Sequence, residues 1–240
     1  MPPTDPSPPN LVLETVTPST LDSWIAVTNH TFSLRPPGSK IGFLDLFYPN
    51  GITPAITAWN RETHLKGCQT ENFYFHVVRD TALPGSPIVG TARWQLVPEA
   101  KSAAQMRVEE EQAATEREAE RHIPDVNHDR FDVFRVAQFK GKLDNVAGRP
   151  YLYLKSICTH PDHQRRGVGK VLMRWGLRKA DELGVPMYLE ASEAGRRLYE
   201  QSGFVERGDL DWDASRFEGV EDQFLNLAML REPGTGEVKY

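Results

Sequence analysis

The chain has little cysteine. Cys68 and Cys158 are the only two among 240 residues, and neither belongs to a CxxC pair. That scarcity excludes a disulfide framework and points to a reducing compartment, cytoplasmic or nuclear. Long apolar runs are also missing, since no stretch approaches membrane-spanning length. Positive charge is in deficit: 28 Lys and Arg stand against 33 Asp and Glu, a net charge of −5 with pI near 5.8. General attraction to nucleic acid or an anionic membrane is therefore not expected, and any polyanion contact must be local. No internal repeat is visible. The opening "MPPTDPSPPN" lacks the apolar segment of a secretory signal and reads as a disordered Pro-rich tail over residues 1–10.

What is present suffices for a core, with 39% of residues hydrophobic. One domain is expected over 11–230, with a short tail over 231–240. "LVLETV" alternates as a strand, and the helical "TPSTLDSWIAVTNHTF" follows with start signals at Pro18, Ser19 and Thr20. Residues 35–54 are rich in Pro, Gly and aromatics and read as a long loop, either functional or covering the core. "AITAWNRETHLKG" then predicts a helix closed by Gly67. "NFYFHVVRD" and "SPIVGTARWQLV", joined by "LPGSP", read as an antiparallel strand pair. The Ala/Glu/Arg-rich stretch near 98–125 suits a mostly solvated helical insertion. "FDVFRVAQF" fits either a helix or an extra strand.

The strongest strand is "YLYLKSICT", apolar on both faces and so central in a sheet. A helix follows it, with Val171, Leu172, Trp175, Leu177, Ala180 and Leu183 at helical spacing and Gly184 as its cap. "VPMYLEAS" is another buried strand, "EAGRRLYEQSG" a short helix, and "FVERGDLDWD" and "DQFLNLAML" close the pattern. The fold class is α/β with a mixed sheet.

Between the central strand and its helix lies "HPDHQRRGVGK". A strand turning into a helix presents free backbone N–H groups at the positive end of the helix dipole, a ready site for an anion. Gly167 and Gly169 allow close approach to the backbone, and Arg165 and Arg166 add charge. Pyrophosphate fits this arrangement. A P-loop is excluded because Gln164 and Val171 stand where it needs Gly and Ser or Thr, and Leu172 breaks the dinucleotide fingerprint.

Gln164-Arg165-Arg166-Gly167-Val168-Gly169 resembles the Gln/Arg-x-x-Gly-x-Gly/Ala signature of the GNAT superfamily of acyl-CoA-dependent N-acetyltransferases. "LEAS" on the next strand and "AGRRLYEQSGF" also resemble that family. The resemblance is specific from Tyr151 to Phe204, and its wording is most similar to members from filamentous fungi. It implies a mostly antiparallel mixed sheet with helices on both faces and a splayed parallel strand pair holding CoA. It implies acetyl-CoA as co-substrate, without a metal, in direct transfer to a primary amine. Gln164 and the amides from Arg165 through Val168 to Lys170 would hold the pyrophosphate. Ile157, Cys158 and Thr159 would pair with the pantetheine arm, and Ser192 and Arg196 would complete the cofactor contacts.

Such chemistry needs a proton for the departing thiolate and a base for the amine. Tyr199 is the candidate acid, with a packing role as its alternative. Glu190 is the candidate base, or else a structural carboxylate bonded to turn amides near Ser192. His160 is better suited to a turn than to base catalysis. Cys158 and His160 share a strand face but make a poor nucleophilic pair, and His160, Asp162 and His163 lack the further ligands a metal needs. The acceptor, a small-molecule or peptide amine, is expected between "GFLDLFYPNG", with Phe43, Phe47 and Tyr48, and the closing hairpin. There Asp209, Asp211 and Asp213 either attract a cationic amine or solvate an edge strand. A monomer or homodimer is expected. Two rival readings are a non-catalytic CoA-binding module and an interaction role for the Glu-rich insertion.

Overall fold

A computed structural model of the chain describes residues 8, 10–35, 41–210 and 226–234. Its centre is the strand β4 (Tyr151–Thr159). Because side chains alternate along a strand, Leu152 and Leu154 enter one apolar cluster while Tyr151 and Tyr153 enter another on the opposite face. Around it lie β1 (Leu11–Thr15), β2 (Phe73–Asp80), β3 (Ile88–Val97), β5 (Met187–Ser192), β6 (Val205–Asp209) and β7 (Asn226–Arg231). The order across the sheet is β1-β2-β3-β4-β5-β7-β6. Every neighbouring pair is antiparallel except β4 and β5, which are parallel.

One face is covered by α5 (Val168–Leu183), whose buried stripe is Val168, Val171, Leu172, Met173, Gly176, Leu177 and Ala180. Gly184 closes it in a left-handed conformation at φ 65°, its N–H returning to Ala180 and Asp181 carbonyls. Leu183, expected on the stripe, lies in the final turn and is 45% exposed. The helix sits close to the sheet because Gly176 has no side chain: a Cβ there would lie 2.3 Å from the Trp94 ring. The short helix α6 (Glu193–Gln201) joins the same cluster through Tyr199.

The opposite face carries α1 (Leu21–Ser33), α2 (Pro54–Gln69) and α4 (His128–Val146). "FDVFRVAQF" is thus helical, within α4. Gly141 of α4 lets the helix descend on β5, where a Cβ would meet the Tyr188 hydroxyl at 2.4 Å. Gly67 does not terminate α2 as expected. It lies inside the helix, which runs on to Gln69, and the space a Cβ would take is 3.0 Å from the Phe75 ring. This glycine therefore serves packing. The charged helix α3 (Ala103–Glu118) opens with a Ser102/Gln105 capping box and buries only Met106. Arg117 and Arg121 tie its end to Asp132 of α4.

Among the described residues no helix is long and apolar enough to cross a membrane. Overpacking at the α5 contact should be costly, because the Trp94 ring is fully buried and has nowhere to move. Gly176→Ala should lower stability by about 1–3 kcal/mol, read as a reduced urea midpoint at unchanged slope.

Candidate functional site

The parallel strands do not stay together. Pairing between β4 and β5 covers only Leu152–Leu154 against Met187–Leu189. Beyond that point β4 remains paired to β3, and β5 to β7, so the two strands part. A bulge helps to part them: Trp94 faces Leu154 but Arg93 faces Ser156, leaving Lys155 as the extra residue. Bulges bend and twist the strand that carries them. The edge of β4 from Lys155 to Thr159 therefore turns main-chain N–H and C=O groups into a gap rather than toward a partner strand. Ile157, Cys158 and Thr159 all lie on this open edge. An extended ligand bearing amides could pair there as a strand does.

At the far end of β4 the chain makes a 3-10 turn over Pro161–His163 and reaches Gln164. Arg165 then takes φ 63° and Gly167 φ 91° before α5 begins at Val168. A left-handed arginine costs roughly 1–3 kcal/mol, a conformation that persists only where the surroundings enforce it. Left-handed residues set between right-handed or extended ones aim successive N–H groups into a common concavity, and here that concavity adjoins the unpaired amides of the first turn of α5. Gly90 on β3 allows the helix start to lean in, since a Cβ would sit 2.4 Å from Val168. Gly169 serves packing as well as approach: its missing Cβ would lie 3.0 Å from Leu198 of α6.

The two arginines of the turn have different environments. Both are exposed, but Arg166 is turned to Asp80, forming an ion pair with its fully buried carboxylate. Asp80 also accepts from Asn10 Nδ2 at 2.7 Å and from the Ala82 amide at 3.1 Å. The Asn10 bond first, then the Ala82 amide and the Arg166 charge, hold its carboxyl below the ordinary 3.8. Arg166 thus braces the turn against the end of β2. Lys170 is partly buried in the first turn of α5.

Tyr199 is buried, its ring edge-on to Phe204 at 6.0 Å and packed over Gly195. Burial, with a smaller contribution from Cys158, pushes its hydroxyl above 10 and keeps it protonated. Cys158 is raised too, chiefly by burial, and its sulfur lies 3.0 Å from Thr91 Oγ1. His160 does not meet it: the imidazole stacks on His30 at 5.0 Å, and Nδ1 accepts from the Asp162 amide at 3.4 Å. This is a turn role. Among the described residues no group of three His, Cys, Asp or Glu is placed to hold a metal ion.

Glu190 is the first residue of β5 beyond the paired segment, at the apex of the gap. Its Oε2 accepts from the Tyr153 hydroxyl at 2.6 Å and from Gln138 Nε2 at 3.4 Å, so side chains of β4 and α4 hold it rather than turn amides near Ser192. Its Oε1 is buried with no hydrogen-bond partner among the described residues. Burial raises its pKa above 4.5, opposed by Tyr153, Lys142 and Lys155. Sequence reasoning missed Tyr153, Gln138 and Lys155. The one available signal was a lysine amid the otherwise apolar "YLYLKSICT".

The remaining candidates scatter. Ser192 is exposed at the start of α6 and makes no capping bond. Arg196 is paired with Glu200 at 2.9 Å and Glu206 at 2.8 Å. Phe47 and Tyr48 are buried in the core, Phe47 stacked on Phe131 at 4.2 Å, so that stretch covers the core. Phe43 packs edge-on to Phe47 and Phe134 and stays partly buried. Asp209 is exposed on β6; Asp211 and Asp213 lie outside the described residues.

A seven-stranded mixed sheet, parted at its one parallel pair above a helix-opening turn, is the arrangement of an acyltransferase fold. Residues 45–204 match the model of the acetyltransferase (GNAT) family, and the chain belongs to that family. Members use acetyl-CoA as co-substrate. A segment of 41 residues is 44% identical to a protein described as "Probable acyltransferase SID5" from Ajellomyces capsulatus, covering 17% of this chain and 30% of that one. Arylalkylamine N-acetyltransferase 2 from Aedes aegypti is similar in fold, with TM-score 0.62 and 14% identity over 93% of this chain and 99% of that one. A structure described as histone acetyltransferase HPA2 and related acetyltransferase from Corynebacterium glutamicum gives TM-score 0.56 and 20% identity, over 95% and 98% of the two chains. An agmatine N-acetyltransferase gives 0.60 and 12%, over 93% and 99%.

The bracing of the turn has a pH signature. Asp80 has a folded pKa below its unfolded value near 3.8, so its contribution is complete above that value and fades as pH falls through the folded one. Arg166→Gln should lower the urea midpoint at pH 7, and the deficit should narrow as pH drops below about 4. Equal deficits at both pH values would show that Arg166 does not act through the Asp80 carboxylate.

Proposed function

We propose that the protein transfers an acetyl group from acetyl-CoA to a primary amine by direct attack. The observation that carries this reading is the parting of β4 from β5 at Leu154 and Leu189, with the left-handed turn at the far end of the same open edge. One strand thus offers amides for a pantetheine arm along Ile157–Thr159 and leads to a concavity for a diphosphate at Gln164–Lys170. Arg165 supplies the charge facing solvent there, and Arg166 holds the turn in shape. Ser192 and Arg196 have weaker claims as cofactor contacts, since Arg196 already pairs with two glutamates.

In the transfer, the amine nitrogen forms a bond to the thioester carbon as the carbon–sulfur bond breaks. Glu190 receives the proton the amine gives up, and Tyr199 donates one to the departing thiolate. A carboxylate raised by burial is a stronger base than an exposed one, which suits a proton held by an amine. The neutral Tyr199 hydroxyl offers the thiolate a hydrogen bond as the proton passes. An amine acceptor agrees with the fold neighbours described as acting on agmatine and arylalkylamines.

Tyr199→Phe should reduce kcat by about 10²-fold or more while the calorimetric affinity for CoA changes less than about twofold. Unchanged turnover would remove Tyr199 from the chemistry. Loss of CoA affinity together with turnover would make it a packing residue. The pH profile of kcat/KM should fall on the acid side with an apparent pKa above the ordinary 4.5 of glutamate, and Glu190→Gln should abolish that limb. A protein that binds CoA but releases no thiol with any amine would be a binding module.

A further inference from the structure

The apex of the gap is unusually cationic. Lys155, the bulged residue of β4, places Nζ 5.0 Å from the centre of the Tyr153 ring, and Lys142 of α4 places its own 5.3 Å from that ring. Arg93, opposite Ser156 on β3, is close enough to depress Lys155 electrostatically, as is Arg135 of α4. Each of the four is partly buried rather than extended into solvent. Among the described residues Glu190 is the carboxylate that acts on both lysines; Lys142 is also offset by Glu110, and Arg135 by Asp132 and Glu120. Glu110 and Asp132 are themselves paired with Arg117 and Arg121.

Among the described residues aromatic rings and Glu190 offset these cations only in part, and no hydrogen-bonded carboxylate meets Lys155 or Arg93. Arg93 Nη1 contacts only a histidine, His64, at 3.3 Å, and its Nε is buried without a partner among the described residues. Lys155 reaches the neutral Gln95 at 3.3 Å. Burial and mutual repulsion hold Lys155 well below its ordinary value, and burial lowers Lys142 as well. Cations desolvated beside one another are costly unless an anion joins them. The diphosphate of CoA is not that anion: Lys155 precedes Thr159 by four residues, about 13 Å of strand at ~3.3 Å per residue, and the turn lies beyond Thr159.

Resting on the acyltransferase reading, we propose that the acceptor is an amine that also carries a carboxylate, received by Lys155, Arg93 and Lys142 beside Glu190. The two parts of such a molecule need opposite surroundings, and the apex supplies both. The ammonium end is drawn to Glu190, which takes its proton, and the carboxylate end neutralises the cations. A purely cationic amine gains only the first of these interactions. Lys155, Arg93 and Lys142 are thus specificity-determining residues.

The test compares amino acids with the amines left when their carboxylate is removed: ornithine with putrescine, lysine with cadaverine, tyrosine with tyramine. Lysine amide separates loss of charge from loss of bulk. Thiol release from acetyl-CoA is measured for each, together with calorimetric binding of each to the CoA-saturated protein. In the unaltered protein at least one carboxylate-bearing member should exceed its partner tenfold in kcat/KM or affinity, with lysine amide behaving like cadaverine. Lys155→Met, which keeps the stem's volume, should cut that advantage at least tenfold, partly by raising turnover of the decarboxylated partner, while moving CoA affinity less than threefold. Arg93→Met repeats the test should the first variant not fold. Preference for the decarboxylated members, no preference, or a preference untouched by both variants overturns the inference. Failure to bind acetyl-CoA overturns the acyltransferase reading itself, a result distinct from binding without carboxylate preference.

Discussion

Hydrogen bonds that β4 and β5 do not make govern the rest of the molecule. Two parallel strands that stayed paired to their ends would satisfy one another and leave no main-chain group for a ligand. Here the ladder stops at Leu154 and Leu189, and the bulge at Lys155 turns the upper strand away. The open edge can persist because β4 is anchored on its other side by β3 and β5 by β7. Half of each strand's bonding is secure while the other half faces the gap. An unpaired edge is ordinarily a liability; inside a sheet covered on both faces it is, on the proposed reading, a receptor for the cofactor.

The helices are set by what that gap requires at either end. At one end α5 must begin close to the sheet, and Gly90, Gly167 and Gly169 clear the way: the first for Val168, the second for a left-handed turn, the third for Leu198. The apolar stripe of α5 then locks the helix onto β3 and β4 through Gly176 and Trp94. At the other end α4 must come down on β5, which Gly141 permits at Tyr188. Its descent brings Gln138 and Lys142 to the apex, where they meet Tyr153 and Glu190. On the proposed reading, phosphate binding and proton transfer at Glu190 occupy opposite ends of one strand.

Electrostatics differ between these ends. At the turn, Arg166 and Asp80 satisfy one another and Asn10 joins them from just before β1, while Arg165 faces solvent. At the apex, among the described residues, partly buried cations gather around Glu190 without a hydrogen-bonded carboxylate of their own. Burial pushes the groups there toward neutrality, Glu190 upward and Lys155 downward. A site in that condition is poised to gain from an anionic guest.

Much of the fold was legible because local pattern and tertiary role coincide. The alternation of "LVLETV" and "NFYFHVVRD", the stripe from Val171 to Ala180, the cap at Gly184 and the Gly167/Gly169 turn each state their structure within a few residues, since backbone sterics and apolar periodicity act over that range. Other features depended on neighbours distant in the chain. Gly67 looked like a helix stop, but the Phe75 ring gives it a packing role inside α2. "FDVFRVAQF" could alternate or coil until α4 docked on β5. Phe47 and Tyr48 looked like an acceptor surface, yet Phe131, far along the chain, encloses them. Arg166 was readable as a cation but not as the partner of Asp80, 86 positions earlier. The sequence alone determined which strand bends into the glycine-flanked helix start, because that depends on contiguous residues. Only tertiary packing decided what surrounds Glu190, because Tyr153, Gln138, Lys142 and Lys155 converge there from one helix and a neighbouring strand, and no one-dimensional spacing encodes that convergence.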